Sequence, residues 1–370
     1  MLPRRILLGT LALAIAALSA GDATADARDI PKWGVWTGGC GNTGMCSVSA
    51  IVRSQSAWID VRIVRDWPAA ATPLLRITAN APIAKSGTIR FAIDGKSVDE
   101  IEIAQLREAQ TSITPPPGFR PIGGNGLWYP AGPATQAMIA AIRAGATLTV
   151  TLPLAGQEVS IDVPAAGLAD GLAWLDDRQQ RTGTITALVD PGSNVPADAP
   201  HGQAILSPDA LPPQVRAAWD GNRYCSDIDP TVFASLDAVA APLGTDRTLY
   251  LLPCGAPTAH NAAFVGFEVR DGEDIRPISL ARMSDKGPIA TDLIYNARWH
   301  PGRLEIEALY KGTARGDCGT WNRWQWTGAT FALVEEASKP VCDDIVVPLA
   351  DWPQTWPQTW ALPVTPSRQE

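Results

Sequence analysis

The residues able to carry chemistry in this 370-residue chain are six cysteines, three histidines, a few adjacent carboxylates and fourteen tryptophans. The cysteines stand at Cys40, Cys46, Cys225, Cys254, Cys318 and Cys342. In a chain that leaves the cytosol, an even set reads as three disulfides. Six thiols allow about 15 connectivities, and their grouping favours Cys40–Cys46, Cys225–Cys254 and Cys318–Cys342. In the loop-entropy picture each longer bridge stabilises by about 3.5 kcal/mol and the short one by about 2.4 kcal/mol. No metal centre is expected, because no Cys-x-x-Cys occurs and histidines are scarce. No cofactor is expected either. The run from Gly38 to Gly44 lacks the lysine and following helix of a phosphate cradle, and its glycines let the chain close a short disulfide ring instead.

A serine or thiol nucleophile needs a base within reach, usually histidine. His201 falls in a proline-rich stretch and His300 in a turn; His260, beside Asn261 and close after Cys254, is the candidate base of a hydrolytic alternative that would also use nearby acids. Neither Gly-x-Ser-x-Gly nor His-Glu-x-x-His occurs. Asp176-Asp177 and Asp343-Asp344 cannot act as facing carboxylates, since neighbours on a helix or strand point apart. Asp176 and Asp177 are expected on the polar end of a helix near Arg178 and Arg181, and Asp317 is expected to organise a turn. Trp321, Trp324 and Trp326 are the candidate ligand-binding residues: exposed, their indoles would stack on sugar rings, and buried, each would fill roughly 200 Å² of core. On a strand Trp324 and Trp326 share a face and Trp321 does not. Trp352, Trp356 and Trp360 follow in a doubled Trp-Pro-Gln-Thr tail.

These residues need a compartment and a scaffold. Arg4 and Arg5 precede an apolar run over 6–18 that ends in small residues, the pattern of a secretion signal. The run is shorter than the roughly 20 residues of a membrane span. Cleavage after Ala23-Thr24-Ala25 removes 1–25 and leaves Asp26 first, with no cysteine there to carry a lipid anchor. The net charge, −8 for the whole chain, becomes more negative because two arginines and one aspartate leave. An acidic protein of this kind is not a nucleic-acid or anionic-lipid binder. The expected address is the periplasm, with no membrane anchor after cleavage.

The remaining length exceeds what one core usually serves, so two domains are expected, 26–190 and 212–370. A proline-rich linker over 191–211 would hold neither ladder nor helix. Period-two patterns predict strands over 58–64, 88–93, 96–103, 147–152 and 158–163, with Asp94-Gly95 as a tight hairpin turn. Helices are predicted over 133–144, with Pro133 at its start and Gly145 past its end, and over 166–180, with Leu168, Leu172 and Leu175 on one face. Beyond the linker come short helices over 215–219 and 231–239 and strands over 248–252, 263–270, 293–299, 303–310, 323–326 and 330–335. The fold class is α+β, mostly antiparallel β: two β-rich domains with a few short helices.

The Gly-Gly-Cys-Gly-Asn-Thr-Gly-Met-Cys run, the Leu-Asp-Asp-Arg-Gln-Gln-Arg-Thr-Gly-Thr segment over 175–184, Leu-Leu-Pro-Cys-Gly over 251–255 and Gly-Asp-Cys-Gly over 316–319 followed by Trp326 occur together. In these the chain resembles the exported bacterial family known as domain of unknown function 1176. The resemblance implies a periplasmic protein with six characteristic cysteines, all matched here. The first half is also distantly similar to the invasion-associated locus B proteins. The role expected is non-enzymatic: an envelope-associated binding protein whose partner is an envelope protein or a cell-wall glycan. Mature protein from the envelope fraction should begin at Asp26 and show no titratable thiol before reduction. N-terminal sequencing and thiol titration check this, and an intact leader with six reactive thiols would refute it.

Overall fold

A computed structural model describes residues 31–54, 57–110, 113, 125–154, 156–198, 201–222, 224–271 and 274–357; the expected leader and the end of the doubled tail lie outside them. The N-terminal half contains β1 (Lys32–Trp33), β2 (Trp36–Cys40), β3 (Cys46–Arg53), β4 (Trp58–Arg65), β5 (Leu74–Ala79), β6 (Thr88–Ile93), β7 (Lys96–Glu102), α1 (Ile103–Ala109), β8 (Gly126–Trp128), α2 (Pro133–Ala144), β9 (Thr147–Leu154), β10 (Gln157–Pro164) and α3 (Leu168–Arg178). Its strands form two antiparallel sheets, in the orders β1-β2-β3-β4-β5-β8 and β10-β9-β6-β7. The β6–β7 turn forms where Asp94 and Gly95 both take positive φ, as a two-residue turn of matching twist requires. Val48, Ile59, Val61, Ile63 and Ile77 of the first sheet share one buried cluster with Phe91, Val150 and Leu152 of the second, and Leu168, Leu172 and Leu175 of α3 join it. The ring of Trp174 lies so close to β2 that a Cβ at Gly38 would meet it at 2.7 Å.

The C-terminal half contains β11 (Gln203–Ala204), α4 (Pro213–Asp220), α5 (Pro230–Phe233), β12 (Val239–Pro242), β13 (Arg247–Pro253), β14 (Ala263–Arg270), β15 (Asp274–Pro277), β16 (Leu280–Ser284), β17 (Gly287–Thr291), β18 (Leu293–Tyr295), β19 (Arg298–His300), β20 (Glu305–Lys311), β21 (Gly319–Trp326), β22 (Phe331–Lys339) and β23 (Gln354–Trp356). One sheet runs β11-β12-β13-β14-β15 with β18 also on β14; β16–β17 is a separate hairpin; the last sheet runs β19-β20-β21-β22-β23. A buried cluster joins the first and last of these sheets through Leu249, Leu251, Phe264, Ile306, Trp324 and Phe331. Another packs α4 and α5 on the first sheet through Val215, Trp219, Phe233 and Leu252. The fold class is as expected: β-rich α+β, almost entirely antiparallel.

Three local expectations are corrected. Residues 191–211 were expected to carry no ladder or helix, yet Gln203 and Ala204 pair with β12 and Pro208–Ala210 form a single 3-10 turn, because the residues between the prolines keep their amide donors. The helix expected over 231–239 ends at Phe233: Asp237 adopts φ 49°, and Val239 is taken into the ladder opposite Leu251. The strand expected over 293–299 breaks into β18 and β19 at Asn296, also at φ 49°, a conformation asparagine tolerates. There its amide bonds the Asn261 Oδ1 at 3.0 Å and the Leu309 carbonyl at 2.8 Å.

All three disulfides join sequence neighbours: Cys40–Cys46, Cys225–Cys254 and Cys318–Cys342. Such bridges belong to an oxidising compartment outside the cytosol. Among the described residues no helix is long and apolar enough to cross a membrane. Cys40 and Cys46 face each other across β2 and β3, closing a ring that projects from the N-terminal half into the C-terminal half. Gly44 at φ 86° has no room for a side chain, since a Cβ would meet Trp67 at 2.6 Å and Pro301 at 2.9 Å. Asn42, 3% exposed, donates to the Asp237 carbonyl at 2.7 Å and accepts from the Trp299 amide at 2.8 Å. Replacing it with alanine leaves the buried Trp299 amide without this acceptor and removes the bond to the Asp237 carbonyl. Asn42→Ala is expected to lower unfolding stability by about 1–3 kcal/mol in urea titrations of the oxidised protein, and an unchanged midpoint would contradict this role.

Candidate functional site

A cleft of about 1120 Å³ opens in the C-terminal half. Its floor is a cross-strand row: Tyr310 of β20 pairs with Thr320 of β21, which pairs with Ser338 of β22. One wall is the β16–β17 hairpin with Arg282, Met283 and Ser284; the other is the Cys318–Cys342 bridge with Gly312 and Pro340; Gln354 and Thr355 close the end. Ser284 accepts from the Lys286 amide at 3.2 Å and donates to the Gly287 carbonyl at 2.8 Å, which shapes the hairpin tip.

At the base lies Glu336, 1% exposed. Its carboxylate accepts from the Met283 amide at 3.0 Å and the Thr355 hydroxyl at 2.7 Å, and from the side-chain amide of Asn322. One buried charge therefore holds the hairpin, the central strand and the tail strand together. Charge-assisted bonds of this kind are roughly twice as strong as neutral ones. Tyr310 is 44% exposed, and its ring rests on Tyr295 with centroids 5.1 Å apart. The Arg282 Nε is shut off from water without a hydrogen-bond partner. Hydroxyls, an amide, an exposed phenol and a cation therefore meet in one groove. This set can bind and orient a polar ligand.

The tryptophans proposed from sequence as ligand-binding residues lie in the core. Trp321, Trp324 and Trp326 are 0%, 1% and 8% exposed, so no indole face is open to a sugar and the stacking role is corrected to packing. The parity expected of them holds: Trp321 packs with Ala337 and Trp352, while Trp324 and Trp326 join the opposite cluster. The Trp324 indole donates to the Ala281 carbonyl at 2.6 Å, so this residue anchors the cleft's hairpin rather than a ligand.

The Trp321 indole donates to Glu307 at 3.0 Å, and His300 bonds the other oxygen at 3.0 Å. Burial pushes the Glu307 carboxyl upward, but these hydrogen bonds and the charge of His300 outweigh it and hold the group below its ordinary range. His260 stands apart, its Nδ1 buried without a hydrogen-bond partner and its carbonyl accepting from Asn296 at 3.2 Å. Asp176, expected on the surface, is instead buried against Arg65 at 2.8 Å, because the loop after β4 folds over the end of α3. Asp317 does organise its turn, accepting from the Thr313 hydroxyl and, at 2.9 Å, from the Asp344 amide. Among the described residues no group of acids, histidines and cysteines could hold a metal ion.

Residues 32–359 match the family described as "Protein of unknown function (DUF1176)". The chain belongs to this family. It is 27% identical over 220 residues to "Uncharacterized protein YpfG" of Escherichia coli (strain K12), covering 55% of this chain and 61% of that relative. Among solved structures it is similar to invasion associated protein B from Bartonella henselae, with 19% identity and a TM-score of 0.30, covering 40% of this chain and 97% of that one.

Sequence reasoning missed Tyr310, Glu336 and the β16–β17 hairpin. The usable signal was the Ser-Asp-Lys-Gly turn over 284–287 between two short runs, since Gly287 takes φ 110° there. If Glu336 ties the walls together, Glu336→Ala should accelerate amide exchange in residues 280–291 at least about tenfold while the β13–β14 amides keep their protection. Unchanged protection of the hairpin would remove Glu336 from this role.

Proposed function

We propose that this is a two-domain periplasmic binding protein without catalytic chemistry of its own, and that its ligand is a hydroxyl-rich glycan segment of the cell wall, taken up by the cleft over β20, β21 and β22. The observation that carries the reading is the floor row of Tyr310, Thr320 and Ser338 beneath a groove of about 1120 Å³. A glycan offers flat apolar ring faces and radiating hydroxyls. An exposed aromatic ring takes the former by stacking, and side-chain hydroxyls and amides take the latter. The groove is long enough in volume for several sugar units, beyond the roughly 300–1,000 Å³ of an ordinary small-molecule pocket.

The disulfides suit such a task because they fix the walls. Cys318–Cys342 itself lines the groove, so a rigid rim is bonded to the end of the floor. Pre-organised walls reduce the ordering cost of binding.

The test is calorimetric titration of the oxidised mature protein with soluble cell-wall glycan fragments. Saturable binding is expected, weakened about tenfold or more by Tyr310→Ala. Failure to bind either fragments or intact sacculi would overturn the glycan reading, as would an affinity that Tyr310→Ala leaves unchanged. Recovery of a stoichiometric envelope protein by periplasmic crosslinking, with no glycan binding, would replace the glycan by a protein partner.

A further inference from the structure

The segment over 175–184 and the cysteine ring meet at a second pocket, of about 210 Å³, where α3 of one half ends against the β19–β20 turn of the other. Most polar members of the segment have structural partners. Asp176 is bonded to Arg65. Gln179 donates to the carbonyls of Gly44 and Arg65 at 2.9 Å each, and Gln180 donates to the Gly302 carbonyl at 2.9 Å. Arg181 is spent on the carbonyls of Trp67 and Ala69, at 2.6 Å each.

Arg178 is different. It lines the pocket and lies over the Trp174 ring at 5.6 Å, half-buried, its guanidinium with no hydrogen bond or ion pair among the described residues. In the same lining, on the turn from the other half, stands Arg303, whose guanidinium is likewise without a hydrogen bond or ion pair among the described residues. The two charges repel, and burial together with Arg303 lowers the affinity of the Arg178 guanidinium for its proton. A place in the last turn of α3 explains one cation, which offsets the carbonyl end of a helix. It does not explain a second cation facing it from another element.

Glu307, Asp177 and Glu305 favour the charged form of Arg178 from a distance, but neither guanidinium has a direct acid partner among the described residues. Glu305 is bonded to Arg323 at 2.8 Å, and Glu307 to His300 and Trp321. Asp177, also in the lining, is exposed and makes no ion pair with either arginine among the described residues.

We infer that Arg178 and Arg303, with His300 beside them, form a site for a small oxyanion, a carboxylate or phosphate group, at the junction of the two halves. Planar guanidiniums bind such groups through paired N–H donors. An anion here replaces repulsion by two attractions and bonds α3 to the β19–β20 turn. The ligand therefore also ties one half to the other. This site is independent of the cleft, and neither depends on the other's ligand.

The probes are inorganic phosphate and acetate, titrated calorimetrically into the oxidised mature protein at constant ionic strength set with chloride. Saturable binding of at least one is expected, with affinity reduced about tenfold or more in Arg178→Gln and in Arg303→Gln. Arg315→Gln, a remote exposed arginine paired with Asp344, should change nothing. Arg303 is exposed in a turn, so its variant carries the test even if Arg178→Gln does not fold. Absence of saturable binding by both anions would overturn the site, as would equal loss in the Arg315 control or unchanged affinity in Arg303→Gln.

Discussion

The fold rests on burying charge that must be fully partnered. Arg65 and Arg181 are both almost completely hidden, and an unpaired buried cation costs several kcal/mol. Arg65 forms an ion pair with Asp176 at 2.8 Å and donates to the Gln179 Oε1 at 2.7 Å and to the Thr186 carbonyl at 2.9 Å; Arg181 donates to loop carbonyls and the Thr186 hydroxyl. Asp176 also accepts from the Leu188 amide at 2.7 Å. The end of α3, the loop after β4 and the chain beyond α3 are locked by one network, in which removing any member orphans the others.

The consequences run outward from there. Gln179 reaches from that network to the Gly44 carbonyl and so fixes the disulfide ring. The ring's Asn42 then carries the order across to β19 and to the residues before β12. Because Asp176 and Gln179 point inward, Asp177, Arg178 and Gln180 are left facing the other half. On the far side the same device recurs: Glu336 is a buried carboxylate whose partners come from three separate segments, and these are one wall, the floor and the closed end of the cleft. In both halves a buried polar group fixes geometry that apolar packing alone would leave free to slide.

Much of the scaffold was legible because it follows from local chemistry. Asp94-Gly95 could only be a tight turn, Pro133 and Gly145 bracket a helix, and alternating residues in β9 and β10 declare a half-buried hairpin. The disulfide pairing was legible from proximity along the chain. Burial on both faces of β21 was not, because its covers come from the hairpin over 280–291 and the segment over 347–352, which no periodicity in β21 announces. Trp321, Trp324 and Trp326 therefore read equally well as a surface and as a core. Asp176 looked like a surface acid because its partner, Arg65, lies 111 positions earlier in the chain. The cleft was invisible for the same reason, being assembled from residues around 283, 310, 320, 338 and 355.

The most direct test of the buried network is a double-mutant cycle on Arg65 and Asp176, by urea unfolding of the oxidised protein. Arg65→Met and Asp176→Leu alone should each cost about 3–5 kcal/mol, and the pair together much less than their sum, since the double variant leaves no orphaned charge. Additive losses, or single losses under about 1 kcal/mol, would show that the fold does not depend on this ion pair.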